Sequence, residues 1–477
     1  MRTNTNALVI AMFCLMASLF AAEQKPNFIL IFVDDLGYGD IGCFGNEIIR
    51  TPNIDRMAEE GLMLTDFYVQ PTCGPSRTAL MTGCYPLRVA TKDNTVNHHP
   101  VVHTDEITIA ELLKGQGYAT GCFGKWGLAG HHPKKIYPEL MPNKQGFDYY
   151  FGTPASNDST IDLYRNDTLI EENADMDTVT ERYTDEAIKF IKKNKNKPFF
   201  AYIPHTMPHT LLGASKKFRG RSPRGLYGDV VEELDYSVGR ILKTVEKLRL
   251  TEKTYVIFTS DNGAWYIEKH PKLMHLKDEG GSHGGSNKPL RGHKTSCWEG
   301  GVRVPFVAWA PGRIPEGKSS DEVTRSFDLY TTFARLAGAD VPADRVVDGK
   351  DITPILHGEK NAKSHDNTFY YYDRTCLMAV REGDWKLQMP VPEEFAMKFH
   401  KYFLDEDIYK YEQYALYNLR KDIGEKNNIA AENPDVVKRL RALAEKARDS
   451  IGDYNRIGKE ARFFDSGVKR PDIKKEE

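Results

Sequence analysis

Apolar residues in this chain fall into short unbroken runs and into longer stretches spaced at helical intervals, and the two kinds alternate. Asn27-Phe28-Ile29-Leu30-Ile31-Phe32-Val33 is apolar at every position after the first, as expected of a strand covered on both faces. It stops at Asp34-Asp35, and glycines follow at 37, 39, 42 and 45. Ile54 to Gly61 and Ile107 to Lys114, the second closed by Gly115, read as short amphipathic helices. Tyr183 to Lys193 reads as a third, running into a strand at Pro198 to Ile203. Val230 to Leu248 predicts a long helix feeding the strand Tyr255 to Thr259, which ends at Ser260-Asp261-Asn262-Gly263.

Helices alternating with buried strands predict an α/β architecture with helices on both faces of a sheet. Asp34-Asp35 and Asp261-Asn262 each directly follow an apolar strand, where loops in such sheets carry chemistry. Trp265 to Gly301, rich in Gly, His and Lys, reads as a long functional loop. From about Asn367 the texture changes to short strands, Thr368 to Tyr372, Ala379 to Gln388 across the turn Glu382-Gly383-Asp384, and Leu416 to Leu419. Asn433-Pro434 then caps a charged helix, Asp435 to Ser450. The expected organisation is a main body over 23–366 and a C-terminal subdomain over 367–477, a small antiparallel sheet plus helix.

The 477 residues include 65 Lys+Arg against 67 Asp+Glu, a net charge of −2, so bulk positive charge does not hold a nucleic acid here. Any selectivity for anions must come from locally placed cations. The N-terminus differs from the rest: Arg2 precedes an apolar run from Ala7 to Ala22. That pattern predicts a signal peptide over 1–22, cleaved near Ala21 or Ala22, and export to the periplasm or beyond the cell. The run is short for a membrane span, none follows it, and Ala11-Met12-Phe13 lacks the small residues expected before a lipidated Cys14. Cys43, Cys84, Cys122, Cys297 and Cys376 show no metal-ligand spacing and read mostly as buried thiols.

Asp34, Asp35 and Asp261, with the amide oxygen of Asn262, offer a hard-oxygen cage suited to Ca²⁺ or Mg²⁺. A lone Asp at a strand end is usually a turn or cap residue. Two adjacent carboxylates plus a distant Asp-Asn, all at strand ends, favour the cage.

Cys73-Gly74-Pro75-Ser76-Arg77, continuing Thr78-Ala79-Leu80-Met81-Thr82-Gly83, resembles the signature of type I sulfatases. Asn27 to Gly39, Gly124-Lys125-Trp126, Pro204 to His209, Thr259 to Gly263 and Leu290 to Pro305 resemble further motifs of that family, in its order. The resemblance covers nearly the whole chain after Ala22, and is strongest to the bacterial arylsulfatase-A-like and hexosamine-sulfatase-like branch. It implies an alkaline-phosphatase-like α/β fold with a large mixed sheet. It also implies that a formylglycine-generating maturation enzyme oxidises Cys73 to formylglycine, and that Asp34, Asp35, Asp261, Asn262 and modified Cys73 hold one Ca²⁺ or Mg²⁺. A formylglycine hydrate carries two hydroxyls: one, acidified by the metal, attacks sulfur, and the second later gives up its proton to expel sulfate. Arg77, Lys125 and Lys294 match cations that hold the sulfate group, and Arg77, four residues after Cys73, shares its helix face.

His209 matches the family histidine that protonates the leaving oxygen, with His205 as a competing candidate or substrate contact. The family usually reads Gly-Lys-Trp-His-Leu-Gly; here Gly127 stands where that histidine contacts the nucleophile. His131, His132, His283 and His293 are the candidates to replace it as base, or a water, and His293 is also a candidate substrate contact. The expected substrate is a sulfated saccharide of the galactose or N-acetylgalactosamine type, with Trp265, Tyr266, Trp298, Tyr149 and Tyr150 available to stack on sugar rings. Two alternatives remain: a phosphate or phosphonate ester hydrolase of the same superfamily, and a non-catalytic binder of sulfated glycans. Intact Cys73, Arg77, Asp34, Asp35, Asp261 and Lys294 weigh against the second.

Overall fold

The computed structural model describes residues 25–89, 102–157, 160–265, 284–364, 366–390 and 413–462. The expected signal peptide, Cys14, Tyr266 and His283 lie outside the described residues.

Seven strands build the body of the main sheet: β1 (Asn27–Val33), β2 (Leu62–Tyr68), β3 (Ala119–Lys125), β4 (Tyr149–Thr153), β5 (Phe199–Ile203), β6 (Thr254–Ser260) and β7 (Arg303–Trp309). Their order is β2-β7-β6-β1-β5-β3-β4, and short edge strands bring the described sheet to eleven. The five strands from β6 to β4 run parallel, while β7 is antiparallel to both β6 and β2. The sheet is therefore mixed, as the resemblance implied.

The apolar run of β1 sorts by parity. Phe28, Leu30 and Phe32 enter one core layer, and Ile29, Ile31 and Val33 the other. The first layer holds residues of α2 (Cys73–Thr82), α3 (Ile109–Gly115) and α6 (Asp328–Ala337). The second holds residues of α1 (Pro52–Glu59), α4 (Met176–Asn194) and α5 (Leu226–Lys247). A strand with no polar position can do nothing else, because both its faces must be covered.

A separate antiparallel sheet follows, β8 (Thr368–Asp373), β9 (Cys376–Glu382), β10 (Trp385–Gln388) and β11 (Ala415–Asn418), packed with α7 (Pro434–Ser450). Its core is shared with the main body: Leu387, Leu416 and Leu440 pack in one cluster with Tyr68, Trp298 and Val302.

Helix starts deviate from the periodicity where a polar cap does the work. Thr108 and Glu111 form a reciprocal capping box, so α3 begins at Ile109 rather than 107. Asp175 accepts from the Asp177 amide and opens α4 at Met176, seven residues before the Tyr183 start that the sequence pattern predicts, and Val179 of this added stretch is buried in the core.

The N-terminus of α1 is capped from another helix. Asp235 of α5 is buried and accepts from the Asn53 and Ile54 amides at 2.9 Å each and from the Asn53 side chain at 2.6 Å. Asp235→Ala leaves those amides unpaired in the core, a loss of about 2–3 kcal/mol. Urea unfolding should show it as a lower midpoint at unchanged slope; a midpoint within error of the parent would refute the cap.

Candidate active site

Strand register decides what meets at the C-terminal edge of the sheet. Val33 pairs with Ser260 across β1 and β6, so Asp34-Asp35 and Asp261-Asn262 leave the sheet side by side. Lys125 ends β3, and the segment leading from Ile203 to His209 leaves β5 on the other flank of β1. Cys73 opens α2, with Arg77 one turn later on the same face.

The side chains interleave charge. Arg77 donates to Asp261 Oδ2 at 2.7 Å and lies 3.6 Å from Asp34 Oδ2; its other terminal nitrogen donates to the Lys125 carbonyl at 2.9 Å. Lys125 donates to Asp34, and Lys294 to Asp35 at 2.9 Å. His209 Nε2 stands 3.7 Å from Asp35 Oδ2. Asn262 donates its amide to Asp35 Oδ1 at 2.7 Å, and the Asp35 backbone, at φ 67°, donates to Asp261 Oδ1 at 3.2 Å.

All of these except Cys73, which is half-buried, have less than a tenth of their surface exposed. Burial penalises the Asp34 carboxylate, but Lys125, His209, Arg77 and Lys294 outweigh it and hold it well below the usual range. Burial and the Asp34 charge push Asp261 up to about 7. Burial, followed by the nearby Lys294, lowers His209, while burial raises the Cys73 thiol against the pull of Lys125 and Lys294.

The donor set fits a hard divalent cation. Asp34 Oδ1 and Asn262 Oδ1 are buried and accept no hydrogen bond, an expensive state for oxygen unless it is a ligand. Among the described residues, potential ligand atoms of Asp34, Asp35 and His209, and of Asp34, Cys73 and Asp261, lie within 4.8 Å of one another. Carboxylate and amide oxygens suit Ca²⁺ or Mg²⁺.

Other candidates fall apart from this cluster. His205 is fully buried and faces away, its Nε2 3.3 Å from Ser237 Oγ and its ring beside Tyr183; burial lowers it to about 3. It sits between the sheet and α4 and α5 as a neutral core group, so its expected contact with substrate is not supported by its position. His293 is buried beside Lys294, with Nδ1 2.7 Å from the Lys294 carbonyl. His132 is exposed and accepts from the Lys134 amide. Tyr150 and Trp298 are core residues, not free stacking platforms.

Trp265 does lie at the site, its ring 5.6 Å from that of His209 and 4.7 Å from Lys294 Nζ. Gly127 has φ +71°, and a Cβ there would stand 3.2 Å from Arg77 Cδ and 3.6 Å from Lys125 Cε. Glycine at this place lets the stems of both buried cations pack closely against the backbone. Sequence reading did not find Phe32, whose ring lies beneath the Arg77 guanidinium at 5.5 Å; a strand-core phenylalanine carries no signal of that contact.

The fold and this cluster define a sulfuric ester hydrolase. The sulfatase family profile matches residues 26–339, and a second, described as N-sulphoglucosamine sulphohydrolase, C-terminal, matches 293–450. This chain belongs to the sulfatase family. Human steryl-sulfatase is 35% identical over 76% of this chain and 74% of its own length. Dog N-acetylgalactosamine-6-sulfatase is 38% identical over 76% of this chain and 72% of its own. A solved Bacteroides thetaiotaomicron structure, from work on the metabolism of multiple glycosaminoglycans and labelled 6S-sulf, superposes with a TM-score of 0.77 at 28% identity, covering 89% of this chain and all of that one.

Because Arg77 is wholly buried against Asp261, Arg77→Ala leaves that carboxylate without its cation partner, while Asp34 keeps Lys125. The expected cost is about 3–5 kcal/mol, readable by urea unfolding. A variant as stable as its parent would mean that carboxylate is compensated elsewhere.

Proposed function

We propose that this chain is an exported sulfatase that removes sulfate from a sulfated saccharide of the galactose or N-acetylgalactosamine type. The reading takes residues 1–22 as the export signal, 23–366 as the catalytic body and 367–477 as a C-terminal subdomain. It is carried by one observation: Cys73 opens a helix beside four oxygen-bearing side chains and three cations, and the whole set is drawn from five separated segments. The relatives named for N-acetylgalactosamine 6-sulfate support the substrate class.

Asp34, Asp35, Asp261 and Asn262 would hold a single Ca²⁺ or Mg²⁺, which neutralises charge and acidifies a hydroxyl beside it. Formylglycine, made from Cys73 by a maturation enzyme, supplies the nucleophilic hydroxyl that a thiol with a raised pKa does not. Arg77, Lys125 and Lys294 orient the sulfate and stabilise the charge that gathers on its oxygens as sulfur is attacked.

His209 delivers a proton to the departing sugar oxygen. In the free site burial, followed by Lys294, lowers its pKa against the pull of Asp35 and Asp34. The negative charge of a bound sulfate ester works in the opposite direction and favours its protonation. Gly127 contributes no base, so the proton released when sulfate leaves goes to another acceptor. Trp265 borders His209 and offers an apolar face to the ring that carries the ester.

The test is mass spectrometry of the tryptic peptide spanning Cys73, on protein co-expressed with a formylglycine-generating enzyme, with sulfate release assayed on the same sample. The panel holds sulfated galactose and N-acetylgalactosamine saccharides, an aryl sulfate, a steryl sulfate and a phosphate monoester. An aldehyde at position 73 is expected, with release from the saccharides falling by a factor on the order of 10⁴ in Cys73→Ala. Chelation should abolish release and added Ca²⁺ or Mg²⁺ restore it. A thiol that persists despite a competent maturation enzyme would defeat the mechanism. Turnover of the steryl sulfate or phosphate ester alone would overturn the substrate.

A further inference from the structure

We propose that Lys386 and Glu425, both from the C-terminal part of the chain, are positioning residues for Lys294: they grip the two feet of the loop whose tip carries it. The proposal rests on the reading of Lys294 as a cation that contacts sulfate.

On the active-site side the tip is pinned by two backbone hydrogen bonds in addition to the Lys294–Asp35 pair. The Lys294 amide donates to the Ala264 carbonyl at 3.0 Å, just beyond Asp261-Asn262, and the Thr295 amide donates to the Pro71 carbonyl at 2.7 Å, just ahead of Cys73. Lys294 is thereby tied to both of the segments it serves. Within the loop, Ser296 Oγ donates to the His293 carbonyl at 2.7 Å.

Both feet are held from the other direction. At the first, Arg291 donates to the Glu425 carbonyl at 2.9 Å and lies over the Trp298 ring at 3.7 Å. At the second, Lys386 Nζ donates to the Cys297 carbonyl at 2.9 Å, and the Glu299 amide donates to Glu425 Oε2 at 2.9 Å. Lys386 also pairs with Glu299 Oε1 at 3.1 Å and Glu425 Oε1 at 2.7 Å, which locks the two grips together. The feet themselves are tied by the Gly300 amide donating to the Arg291 carbonyl at 2.7 Å.

A purely structural ion pair does not explain this arrangement. Lys386, Glu299 and Glu425 have no exposed surface, and in such a place an apolar side chain fills β10 without the cost of stripping water from charge. What an apolar residue lacks is a donor for the Cys297 carbonyl. Glu425 moreover adopts φ +51°, a left-handed backbone that a glutamate enters only when its surroundings demand it. In that conformation its carbonyl serves one foot and its carboxylate the other. A cation displaced by an ångström loses much of its value to a reacting group, so a loop tip of this kind needs fixed feet.

The experiment is a double-mutant cycle on the full-length, formylglycine-bearing enzyme. Lys386→Met with Glu425→Gln preserves net charge and leaves an oxygen for the Glu299 amide, while removing every Lys386 hydrogen bond. kcat and KM for an aryl sulfate are measured for this variant, for Lys294→Ala and for the combination, alongside Tm. The expected result is a fall in kcat/KM of ten-fold or more in the native background and of less than two-fold when Lys294 is absent. Equal losses in both backgrounds, or no loss in either, would overturn the proposal. Full activity in Lys294→Ala would remove the role of Lys294 itself, a distinct outcome that also ends the proposal. Should the double variant fail to fold, the half-buried Arg291→Gln frees the first foot alone, and the same cycle must again show a loss that depends on Lys294.

Discussion

Three carboxylates lie buried at the ends of two adjacent strands, and the rest of the site follows from the need to compensate them. Isolated charges of one sign are too costly to bury. Asp34, Asp35 and Asp261 are therefore met by Lys125, Lys294 and Arg77, each from a different segment. With its helix starting at Cys73, Arg77 reaches two of these carboxylates at once. A cluster balanced this way holds negative and positive groups a few ångströms apart, so it can receive a cation on one side and an oxyanion on the other.

How much of this was legible in the sequence depends on whether a residue's neighbours in the chain announce its setting. Asp34-Asp35 and Asp261-Asn262 were readable because each follows a strand with an unbroken apolar run, Phe28 to Val33 and Tyr255 to Phe258, and such a strand is central and ends at the sheet edge. Arg77 was readable from the motif it shares with the family, and its helical spacing to Cys73 placed it on the same face. His205 and His209 were not separable by spacing. They lie on one short irregular segment after β5, and only its path turns the first toward α5 and the second toward Asp35.

The helix starts show the same limit: α4 begins two turns before the predicted Tyr183, where a cap from Asp175 sets its start. Lys386 and Glu425 left no mark at all. A lysine in a short strand and a glutamate in a polar stretch are ordinarily surface residues. Their burial is a property of how the small sheet docks on Trp298 and Glu299, and no local pattern encodes it.

The small sheet's grip on the loop also sets an order in time. A chain made from its N-terminus has Cys73, Asp261 and Lys294 in hand well before Glu425, and 126 residues separate Glu299 from Glu425. At ordinary rates of synthesis that gap lasts roughly ten seconds. During it the strands that carry the carboxylates exist, yet the loop that carries Lys294 lacks the Lys386 and Glu425 contacts at its feet. Lys294 and the carboxylate it meets are thus made before the contacts that hold its loop, and completing the chain supplies them.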